Sequence, residues 1–368
     1  DKLETLDRLV ARVPVLPPQE SVLVATSFAI EASNSGEGRK EGLAIPPHVD
    51  HSAVVTVQAG VGRLPAIIGY ADRMLDAADV SRPSGADLVA SIVPTWLLSG
   101  PLSAAVPAAF SKRINNAFLR AAQQLPSFTR GDNLGLVYYP PLYYWATPSV
   151  ADVSLNAFAV WVVDQLPATD AARFPRATWA AAIGNGLHQR AALARQYNAA
   201  GRFADFDALV EVFYTLGFHY TVQSAYADDF STARLFANVD KLSARGEALI
   251  AAALLERRST LASDQSALVS DLLVKLNNKI RTQGRTSYVA YSVGGKNADF
   301  DASFDGLLAL SVASADKLTR LTDPTVLTEK LANWVAAPGR DVWYRPAGRQ
   351  VVRAAYALQQ YDQTRGND

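Results

Sequence analysis

The alternation of apolar and polar positions changes its rhythm once along this chain. Before about residue 62, apolar residues fall in short extended runs. Ser21 to Glu31 (SVLVATSFAIE) is rich in β-branched and aromatic residues, and Ser52 to Ala59 (SAVVTVQA) alternates apolar with polar positions. Between them lie the turn-like run 34–40 (NSGEGRK) and Pro46-Pro47. This pattern predicts short strands joined by Gly/Pro loops. From Leu64 onward apolar residues recur at helical spacing. The predicted helices are 64–78, 86–98, 103–124, 151–167, 174–198, 204–216, 218–232, 241–257, 260–281, 300–313, 324–336 and 347–361. Pro83-Ser84-Gly85, Gly100-Pro101 and Ser259-Thr260 punctuate them, and Asp323-Pro324 supplies an N-cap followed by proline at the first helical position.

These helices fall into pairs of about 45 residues, the spacing of a helical repeat. Residues 151–166, 248–255 and 304–313 are apolar on most faces, which marks helices buried on every side. Alternation of fully buried with half-buried helices predicts a mainly α protein: an α/α toroid of about six helical hairpins over residues 63–368, preceded by a β segment over 1–62. An open helical solenoid is the alternative. Two insertions interrupt the pattern. Residues 132–148 (DNLGLVYYPPLYYWATP) form a long aromatic loop, and 282–297 (TQGRTSYVAYSVGGKN) alternate like a small hairpin with Gly294-Gly295 near its end.

Composition narrows the chemistry. The chain has 368 residues, of which 49% are apolar, enough for a large core. Thirty-five basic residues balance 35 acidic ones, so the basic field that nucleic acid or an anionic membrane would attract is absent. There is no cysteine, which excludes disulfides, thiolate metal sites, cysteine nucleophiles and thioesters. No Asn-x-Ser/Thr sequon occurs, and the longest apolar runs, such as Leu249 to Leu255, are too short to span a bilayer. The chain opens at Asp1 without a basic and apolar leader. We therefore expect a fragment or a processed product, with targeting signals outside it.

Candidate catalytic groups are few. His48, Asp50 and His51 offer imidazoles and a carboxylate of the kind zinc takes, without an evident fourth ligand; an ordinary loop is the simpler expectation. His188 and His219 fall on separate predicted helices and are expected to be structural. Asp205, Asp207 and Glu211 share helical spacing and would line a glycoside-active cleft, with Tyr138, Tyr139, Tyr143, Tyr144 and Trp145 as a sugar platform. The same aromatics serve equally as an interface anchor or as a plug over the toroid mouth. Ala227-Asp228-Asp229 lacks the first aspartate of a cyclase acid motif.

Leu64 to Leu98 (LPAIIGYADRMLDAADVSRPSGADLVASIVPTWLL) resembles the segment of alpha-macroglobulins that carries Tyr-Pro-Tyr-Gly-Cys-x-Glu-Gln between two helices. Gly135-Leu136-Val137-Tyr138 with 151–166, Leu242 to Leu255 (LSARGEALIAAALL) and Trp343 to Tyr361 (WYRPAGRQVVRAAYALQQY) resemble later landmarks of that family, in order. The resemblance spans about residues 20–362. It implies a thioester-domain toroid adjoining part of a CUB-like β domain. Ungapped from Pro94, Ser84 falls on the thioester cysteine and Asp87 on its glutamine, so both are degenerate thioester positions. A hydroxyl without a base is a poor nucleophile, and the expectation for the pair is a helix cap. The resemblance then implies a non-enzymatic module without cofactor or metal, part of a protease-trapping inhibitor or an envelope-defence complex. Its partners would be proteases, other domains of the parent or envelope proteins. Its location would be periplasmic or cell-envelope associated, with secretion as the alternative. The competing expectation is an α/α-toroid carbohydrate-active enzyme, which requires a deep cleft holding two carboxylates; the module requires a filled or shallow centre.

Overall fold

A computed structural model describes residues 62–99, 103–104, 106–139, 151–197, 210–212, 214–215, 239–257, 262–295, 297–337 and 348–365. Helix makes up 72% of the described residues and strand 6%, so the protein is mainly α-helical. The strands expected before residue 62, and the helix expected over 218–232, lie outside the described residues.

The first hairpin shows how the sequence builds the rest. Helix α1 (Leu64–Asp79) carries Pro65 in its first turn and buries Leu64, Ile67, Tyr70, Ala71, Met74, Leu75 and Ala78, a stripe at three- and four-residue intervals. Its outer face presents Asp72 and Asp76 to Arg113 of α4 (Ala108–Gln124), at 2.6 and 2.8 Å. Between them run α2 (Gly85–Ala90) and α3 (Pro94–Leu97). The single helix expected over 86–98 is thus broken at Ser91–Val93, immediately before Pro94, whose ring excludes the preceding helical hydrogen bond. Likewise α4 starts at Ala108 rather than 103, with Pro107 at its N-cap.

The chain continues through β1 (Thr129–Arg130) and β2 (Gly135–Leu136), then α5 (Val153–Asp164), α6 (Ala168–Ala171) and α7 (Arg176–Tyr197). Helical residues recur at 210–212 and 214–215. Next come α8 (Ala244–Arg257), α9 (Ser263–Lys279), the hairpin β3 (Ile280–Gln283) and β4 (Thr286–Val289), then α10 (Phe300–Val312), α11 (Ala315–Leu318), α12 (Pro324–Ala336) and α13 (Gly348–Arg365). The β3–β4 hairpin turns at Gly284-Arg285, with Gly284 at φ +59°. The expected hairpin thus begins two residues earlier than read, and Gly294-Gly295 lies in the loop beyond it. Asp323 does precede α12, but it sits at φ +45° and its side chain makes no capping hydrogen bond.

Two sets of helices emerge. In α5 and α10 nearly every residue is buried, including Val153, Leu155 to Val163 and Ala302 to Ser311. In α8, Gly246 to Leu254 are buried. These helices belong to an inner circuit whose members touch in turn: α2 packs on α5 and α13, α13 on α10, and α10 on α8. Residues 210–212 and 214–215 complete it, through Glu211 with Arg245 of α8 and Tyr214 with Trp161 of α5. Helices α1, α4, α7, α9 and α12 lie outside this circuit. Its two ends along the sequence are stitched together: Arg63 N–H donates to Asp362 Oδ2 at 2.6 Å, and Tyr70 Oη donates to the Val335 carbonyl at 2.6 Å.

The inner helices run parallel. Arg245 near the start of α8 and Arg349 and Arg353 near the start of α13 all meet Glu211. Further along, Tyr356 at the middle of α13 meets Glu256 near the end of α8, and Gln359 donates to the Leu97 carbonyl at the end of α3. The circuit therefore has one mouth lined by helix N-termini and another lined by C-termini.

Candidate functional site

At the N-terminal mouth, Ser84 caps α2. Its Oγ accepts from Asp87 N–H at 3.1 Å, its own N–H donates to Asp87 Oδ2 at 3.1 Å, and its hydroxyl donates to that same oxygen at 2.7 Å. This reciprocal box satisfies two backbone donors that would otherwise have no helical acceptor. The two side chains are in contact at i and i+3, and the contact is a hydrogen bond.

The loop before α5 is drawn onto this cap. Gly85 N–H donates to the Tyr138 carbonyl at 2.8 Å. Tyr138 and Tyr139 are exposed, at 40% and 54%. Burial of its ring, with the Asp152 charge, raises the Tyr138 hydroxyl's pKa against the opposing pull of Arg349; Glu211 and Asp87 add to the rise. Tyr143, Tyr144 and Trp145 lie outside the described residues.

Asn156, on the first turns of α5, fixes the loop from below. Its Oδ1 accepts from Leu136 N–H at 2.8 Å, and its amide donates to the carbonyls of Asp152 at 2.9 Å, Leu136 at 3.2 Å and Leu134 at 3.3 Å. Gly135 sits at φ +62° against Asn156 and Ala182, where a side chain would collide with both. Sequence reasoning missed Asn156; its signal was a lone amide inside an apolar helix, which needs buried partners.

Deeper along the axis, charges converge. Glu211, wholly buried, pairs with Arg245 at 3.3 Å, Arg349 at 3.4 Å and Arg353 at 3.5 Å. Asp305 of α10 pairs with Arg245 at 3.2 Å and Arg353 at 3.4 Å. Burial alone would raise the Glu211 carboxyl, but Arg349, Arg245 and Arg353, with the Ser154 hydroxyl, outweigh it and hold the group at about 2. Burial dominates at Asp305 and pushes it upward, against the pull of Arg353 and Arg245. The Arg353 guanidinium also lies over Tyr214 at 4.7 Å and Trp161 at 5.5 Å from the ring centroids, a desolvated cation on aromatic faces. Trp161 in turn makes edge contacts with Trp96 at 5.9 Å and Tyr356 at 5.2 Å. Ion cluster and rings together fill the axis: Glu211, Asp305, Arg353, Trp161 and Tyr214 are all at most 3% exposed.

No family model matches the chain, and no curated protein matches it. Of the carboxylates expected to line a cleft, Glu211 is sealed among arginines, and Asp205 and Asp207 lie outside the described residues. Its buried partner is Asp305, which sequence reasoning did not select. His48, Asp50, His51, His219, Asp228 and Asp229 lie outside the described residues, as does the side chain of His188 on α7. Among the described residues no group of three or more His, Asp or Glu could hold a metal ion, and no helix is long and apolar enough to cross a membrane.

Proposed function

We propose that this chain is a non-enzymatic, thioester-less module of an alpha-macroglobulin-like protein, serving a protease-trapping inhibitor or an envelope-defence complex through conformational change and non-covalent contacts. The observation that carries the reading is the filled axis. Two carboxylates meet there, as a glycoside-active toroid requires, but both are buried and tied to arginines, so neither has a path to a substrate oxygen. The pair Ser84 and Asp87 adds support. They occupy the i and i+3 positions that a thioester needs, and their polar atoms are spent on each other and on the α2 cap. The N-terminal mouth, with Tyr138 and Tyr139 exposed beside the cap, is the contact surface in this reading. Its setting would be the bacterial periplasm or cell envelope.

The test is the mass of the full-length parent after incubation with active proteases. The reading expects protease to co-migrate with the parent in native separation and to leave it entirely under denaturing conditions. A covalent parent–protease adduct, or hydrolysis of a glycan by this chain alone, would overturn it.

A further inference from the structure

We draw no further inference here: the strongest candidate, the buried side-chain cluster around Arg353, whose Nε has no hydrogen-bond partner among the described residues, belongs to the site already described, where Glu211 and Asp305 already answer its charge.

Discussion

Glu211 and Arg353 meet at 3.5 Å on the axis of the helical ring, both almost wholly buried. Glu211 holds three arginines drawn from two helices, so one carboxylate ties residues 210–212, α8 and α13 to a common point. Such a cluster is a weak source of net stability, because desolvation offsets much of the Coulomb attraction. Removing one partner is a different matter. Glu211→Gln leaves buried guanidiniums facing only Asp305 and should destabilise the chain by about 3–5 kcal/mol. Chemical denaturation of the variant beside the wild type checks this.

Acid should act through the same residue. The folded Glu211 carboxyl is held at about 2 against an ordinary 4.5, so its contribution is present above 4.5 and is lost as pH falls toward 2. Asp305 works in the opposite sense: its raised value means the folded state takes up that proton more readily, adding stability as pH drops through it. Glu211→Gln should therefore flatten the loss of melting temperature between pH 4.5 and 2, and Asp305→Asn should remove the gain that the wild type makes at pH values above 3.8. Thermal melts across this range decide; a Glu211→Gln profile parallel to wild type would contradict the assignment.

Asn156 makes a local prediction. Its four hydrogen bonds serve the 134–136 turn and the α5 cap. Asn156→Ala strands Leu136 N–H in a buried site and should cost about 1–3 kcal/mol. Amide exchange at Leu136 should accelerate with it. Gly135→Ala should be at least as damaging, since it adds left-handed strain to a collision with Asn156.

Ser84→Ala removes one half of the α2 cap and should cost about 1 kcal/mol. Because Ser84 also positions the loop through Gly85, proteolysis near Tyr138 should quicken. In the proposed reading this variant leaves protease enclosure by the parent intact, which native gels of the variant parent would register.

Much of this was legible in the periodicity. The bounds of α1, α10 and α12 agree with the expected segments to within about one residue, because each carries its apolar pattern locally. Where proline overrode the stripe, as at Pro94 and Pro107, the expected helices ran too long. The two-residue strands β1 and β2 left no alternating signature; Asn156, some twenty residues on, holds them. The ion cluster was least legible. Glu211 stood among expected cleft acids, whereas Asp305 and Arg353 each sat within a largely apolar run, SFDGLLAL and VVRAAYAL. Such isolated charges need a buried partner, but nothing in the sequence pairs residues so far apart.

The central claim is that the parent encloses a protease without bonding to it and without chemistry from this ring. The most direct measurement follows a protease with paired small and large fluorogenic substrates after mixing it with the full-length parent. The account predicts that cleavage of the large substrate falls while the small one is still cleaved, with no adduct on a denaturing gel. Unchanged cleavage of both substrates would contradict it.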